Sequence, residues 1–144
     1  MEEVRVAIIL LFLFVGNLIY SQENVNLRAE ISGLRNNRGN VRIAIFNSRD
    51  GFPDNPDKAL LVKIIPVKNN VVIVTFDAIL MGTYAIGVIH DENGNNKMDT
   101  NWLGVPMEGY AVSNNIIGKY GPPDFDDAKI NLTHTMSIEI NMVY

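Results

Sequence analysis

Oxygen-bearing side chains recur at every second position through one short stretch of this chain: Asp91, Asn93, Asn95 and, beyond Lys97, Asp99. A loop wound around a hard cation needs that spacing, because alternate side chains turn inward while one backbone carbonyl completes the shell. Counted as an EF-hand-like loop from Asp91, the side-chain donors fall at the first, third, fifth and ninth positions, with the Lys97 carbonyl at the seventh. Calcium is the expected ion. The twelfth position, where such loops carry a bidentate carboxylate, is Trp102. Another acid has to complete the set, and Glu108, Asp124, Asp126 and Asp127 are the candidates. With two carboxylates in the loop itself, affinity would suit roughly millimolar extracellular calcium. The competing reading is an Asx-rich turn, held by side-chain to backbone hydrogen bonds without an ion.

His90 stands beside Asp91 and suggests a second chemistry, hydrolysis of an envelope carbohydrate or ester with Ser113 as nucleophile and His90 as base. Two arguments weigh against it. Neighbouring residues on a strand point to opposite faces, so Asp91 is badly placed to orient His90. Ser113 also lacks the strand–nucleophile–helix elbow that such enzymes use. A structural histidine is the better reading, and no catalytic residue is assigned. His134 lies in a polar turn, too far along the chain from His90 to suggest a metal pair. Trp102, Tyr110 and Tyr120 have the shape to stack on sugar rings, and Glu108 could add a polar contact. The plainer reading makes the three aromatics a small satellite core that pins a long loop.

These residues have to be positioned by a chain of 144 residues, 47% hydrophobic, with a formal net charge of -4. That length supplies one domain's core. The mild acidity gives no footprint for nucleic acid. Without a single cysteine, thiolate catalysis, thiolate metal sites, disulfides and a lipidated cysteine anchor are all excluded. Residues 6–15 form an unbroken apolar run after Arg5, too short for a membrane span and of the length of a secretory signal core. Residues 1–21 are read as that signal, cleaved near Ser21, although Glu2 and Glu3 depart from its usual positive start. Residues 22–144 then form a single mature domain with no transmembrane segment.

Within it, residues 25–32 alternate strictly, with Val25, Leu27, Ala29 and Ile31 on one face, the period of a half-buried strand. Residues 41–46 repeat the pattern after a turn containing Gly39, which predicts a hairpin. Residues 60–67 and 71–76 flank Lys68, Asn69 and Asn70 as a second expected hairpin, and their continuous apolar runs predict burial on both faces. Pro66 marks an edge. One helical turn is expected near residues 56–60, in a loop rich in Asp, Asn and Pro. Residues 83–90 deliver their end into the Asp/Asn stretch, and residues 129–133 and 136–143 close the chain as two more strands. Residues 102–128 are read as one long Gly/Pro/aromatic loop. Seven short strands predict an all-β, antiparallel sandwich. Its expected core is Leu27, Ile31, Ile43, Ile45, Ile73, Ile86, Val88, Ile138 and Ile140.

The runs Arg49-Asp50-Gly51-Phe52, Gly82-Thr83-Tyr84-Ala85, His90 to Asn95, Lys97 to Asn101, Gly104 to Tyr110, Ser113-Asn114-Asn115 and Gly121 to Phe125 together resemble the bacterial family called domain of unknown function 2141. The resemblance implies a small exported protein of Gram-negative bacteria, periplasmic or at the cell surface, with an immunoglobulin-like or transthyretin-like sandwich. It carries over no catalytic residue. Asn96 stands where many relatives would have glycine, a change that asparagine's tolerance of the left-handed conformation accommodates. The expected function is a non-enzymatic binding or structural module of the envelope, its partner an envelope protein or glycan.

Overall fold

A computed structural model describes residues 23–144; the expected signal and its cleavage point lie outside them. Eight strands build two open sheets. The first sheet places β1 (Asn24–Ser32) between β4 (Val72–Leu80) and β8 (Met136–Asn141). The second runs β3 (Leu61–Pro66), β2 (Asn40–Phe46), β5 (Gly82–Asp91) and β6 (Gly109–Val112), with β7 (Ile130–Leu132) pairing the start of β5. Alternation explains the strands one by one. Val25, Leu27, Ala29 and Ile31 of β1 are buried, and so are Val41, Ile43 and Ile45 of β2. The two inward faces pack on each other with Phe76, Ile86, Val88, Leu132 and Ile140 between them.

Several expectations need correction. The eighth strand is β6, four residues inside the expected long loop, too short and too closely bracketed by Gly and Pro for a period-two signal. Pairing is not wholly antiparallel, because β8 runs parallel to β1. Neither expected hairpin forms. β1 lies in one sheet and β2 in the other, and β3 and β4 are divided in the same way. The turn at Lys68 does form, as an isolated Lys68–Val71 bridge. A hairpin and a corner between sheets use the same turn residues and the same alternation, so periodicity alone does not separate them.

Burial on both faces fails as well. β3 is an edge strand, as Pro66 implied, and only its Ile65 is half-buried. In β4 the inward set is Val72, Val74, Phe76 and, past a register shift, Ile79, which leaves Ile73 54% exposed and outside the core. Ile138 is half-buried, and the other expected core residues are buried. The helical turn of the Asp/Asn/Pro loop is Pro56–Lys58, capped by the Asn55 side chain accepting from the Asp57 N–H.

The outward face of the five-stranded sheet is not left to solvent. Register aligns Ile64, Arg42, Ile89 and Tyr110 in one outward row and Val62, Ala44, Gly87 and Val112 in the next. Over one end of this face sits a satellite of Ala85, Val112 and Ala128 with Phe52 and Phe125. Phe52 meets Phe46 edge-on at 5.4 Å and Phe125 at 5.8 Å. Over the other end folds the Asp/Asn stretch.

Candidate functional site

β5 carries Asp91 to the end of the sheet, opposite Asn40, with no exposed surface. Its Oδ1 accepts from the backbone N–H groups of Gly94 and Asn95 at 2.8 and 3.1 Å, and its Oδ2 from that of Asn96 at 2.8 Å. Asn93 Oδ1 accepts from the Asn95 N–H, and Asn95 Oδ1 from the Lys97 N–H. The two side-chain amides donate onward to Asp99, from Asn93 at 2.5 Å and from Asn95 at 2.9 Å. Asn96 sits at φ 63°, the left-handed conformation anticipated for it. All five expected donor residues therefore share one loop, closed by the hydrogen bonds that the Asx-turn reading requires. Gly39 makes this closure possible, since a Cβ there would lie 1.9 Å from the Asp91 carbonyl oxygen.

Of the four candidate extra acids, only Glu108 reaches the loop. Buried, it accepts from the Glu92 N–H at 2.8 Å and the Asp99 N–H at 3.2 Å. Asp126 is instead paired with Arg49 and Lys129. It lies on the one-turn helix Phe125–Ala128 with Asp127, and Asp124 stands at the N-cap, where its backbone carbonyl and not its side chain accepts from the helix, beside the far end of β5. Glu92 forms the loop's other brace. Burial by itself pushes its carboxyl up, but hydrogen bonds from Asn36, Arg35 and Arg38 outweigh that and hold its pKa below the ordinary value.

The hydrolase pairing is not formed. His90 is buried, with Nε2 2.8 Å from the Arg38 carbonyl and Nδ1 2.6 Å from the Tyr144 hydroxyl. A carbonyl can only accept, so Nε2–H donates to it, while Nδ1 and the Tyr144 hydroxyl are bonded to each other. Ser113 Oγ accepts from the Ile86 N–H and donates to the Ala128 carbonyl. Ile86 precedes His90 by four residues on β5, so the backbone group that holds Ser113 lies about 13 Å along the strand from His90. Each polar group is consumed in holding its own element. The aromatic satellite was also misplaced, for Trp102 is 90% and Tyr120 97% exposed. The ring that pins the long loop is Phe125, while Tyr110 is half-buried on β6.

Between the Phe52–Phe125 satellite and the Asp/Asn loop lies a cleft of about 750 Å³. Its floor is the outward face of the sheet, where Ala44 opposite Gly87 leaves room that larger residues would fill. Met98, Leu103, Val105 and Pro106 wall one side, and Pro53, Pro56, Pro122 and Pro123 line other parts of the wall. Partial burial raises the Asp54 carboxyl above its ordinary value. Arg42 rises from the floor and donates through Nη1 to the Asn96 carbonyl, while its buried Nε has no partner. Sequence reasoning missed this site because it followed only the inward residues of 41–46 and gave Ala44 and Gly87 no role. The signal was present in Ala44 and Gly87, two small residues amid Ile and Val, followed by two Gly/Pro runs.

A family model described as an uncharacterized protein conserved in bacteria (DUF2141) matches residues 29–140. No curated protein and no solved structure matches the chain.

Proposed function

We propose that this chain, which belongs to the bacterial family DUF2141, is an exported, non-enzymatic binding module whose ligand lies on the outer face of the five-stranded sheet. One observation carries the reading. A cleft of about 750 Å³ has a floor of small and apolar side chains and a few convergent polar groups, the size and lining of small-molecule sites. The engagement of His90 and Ser113 in structural hydrogen bonds favours binding over turnover. We read the sandwich as immunoglobulin-like or transthyretin-like, and the protein as periplasmic or surface-exposed. Trp102 and Tyr120, which are almost fully exposed, are the natural contacts for an envelope protein or glycan.

The Asp/Asn loop frames one end of the cleft through Asn96, Lys97, Met98 and Thr100. We propose calcium as its ligand, taken by Asp91, Asn93, Asn95, the Lys97 carbonyl and Asp99, with Glu108 close at hand. Binding would exchange the amide bonds on Asp99 for coordination and stiffen the cleft's end.

The binding reading is tested with the neutral apolar fluorophore N-phenyl-1-naphthylamine. Fluorescence enhancement in the wild type, lost in Ala44→Phe at unchanged melting temperature, supports it. Equal enhancement in both proteins places the probe elsewhere and sinks it.

A further inference from the structure

We infer that the cleft takes an elongated apolar molecule ending in a carboxylate, and that Arg42 receives the carboxylate; this deepens the reading above and rests on it. The ion-pair pattern singles out Arg42. Among the described residues Arg28 pairs with Glu30, Arg35 and Arg38 with Glu92, and Arg49 with Asp126. Arg42 alone among these arginines has no carboxylate. It is also the one set in apolar surroundings, with Ile64 and Ile89 beside it in its cross-strand row.

Its head is held but not satisfied. Of five N–H donors, one bonds the Asn96 carbonyl, and the buried Nε bonds nothing. Burial puts that Nε out of a ligand's reach, so the donors open to the cleft are those of the Nη groups. The Nη2 group, neither buried nor hydrogen-bonded, remains for an acceptor from the cleft, and a carboxylate supplies both that acceptor and the missing counter-charge. Charge agrees, since Arg42 and Lys97 face the cleft against Asp54 as the one acidic residue lining it. The rest of the wall, from Val62 to Leu103 and Val105, suits a hydrocarbon body.

The test displaces N-phenyl-1-naphthylamine with decanoate and, separately, with decanol. The wild type is expected to release the probe at about tenfold lower decanoate than decanol. Arg42→Met should abolish that preference while decanol still competes, and Arg42→Lys should keep part of it, because charge remains and the fork is gone. Melting temperatures identify any variant that fails to fold, in which case Arg42→Lys with the wild type decides. Equal competition by both molecules in the wild type overturns the carboxylate inference and leaves the cleft reading standing. A wild type that never binds the probe removes both.

Discussion

Replacing Asp91 with alanine should cost about 2–3 kcal/mol in the absence of any ion. Three backbone N–H groups end on this carboxylate, those of Gly94, Asn95 and Asn96. A hydrogen bond to a charged acceptor contributes about 1.5–3 kcal/mol, so three at the lower end would sum to roughly 4.5. Asn93 to Asn96 are exposed, so water recovers part of the loss, and removing a buried charge recovers a little more. Asp91→Asn should lose about half as much, because its Oδ1 can still serve Gly94 and Asn95 while its NH₂ faces the Asn96 N–H. Urea unfolding in chelator measures both, as a shift in midpoint at constant slope. A loss within about 0.5 kcal/mol of zero in chelator, with destabilisation emerging only when calcium is added, would refute the reasoning: the ion, not the Asx network, would then be holding the loop.

Calcium at a few millimolar should raise the wild-type melting temperature. Asp99→Asn should remove that response at little cost in chelator, since the Asp99 side chain accepts from two amides and supports no backbone N–H; an identical melt in calcium and chelator rejects the ion. Glu92 has a folded pKa below its ordinary value, so its stabilisation is complete above the unfolded carboxylate pKa and fades as pH falls through the folded one. Stability measured below about pH 4.5 should therefore fall less steeply for Glu92→Gln than for the wild type, and parallel slopes would contradict the assignment. Ile43→Ala, fully buried between the sheets, should cost about 2–4 kcal/mol, whereas Ile73→Ala should stay within about 0.5 kcal/mol. The reverse order in chemical denaturation would mean that the face of β4 is inverted.

Legibility in the sequence tracked how local each cause was. Strict alternation exposed the inner faces of β1 and β2, because a strand of that period can bury only one side. Oxygen spacing located the Asp/Asn loop, and Asn96 took its left-handed conformation where the chain needed one. Pairing partners were hidden for a different reason. The choice between a hairpin and a corner is made by the far sheet, not by the turn. In β4 the continuous run of apolar residues concealed its own phase, and Ile73 fell on the wrong side. The cleft was the least legible feature. It arises from the absence of side-chain bulk at Ala44 and Gly87, and from loops that meet over them only once the sheet is assembled.

That assembly links the two features the sequence treated separately. Asn96 donates its N–H to Asp91 Oδ2 and accepts Arg42 Nη1 on its carbonyl. It makes both contacts from a left-handed backbone conformation. The electrostatics run in series: Asp91 anchors the loop, the loop aims a carbonyl, and the carbonyl fixes one corner of Arg42. On the binding reading proposed above, the loop thereby positions the side chain that would receive the ligand one strand away, where β2 lies beside β5.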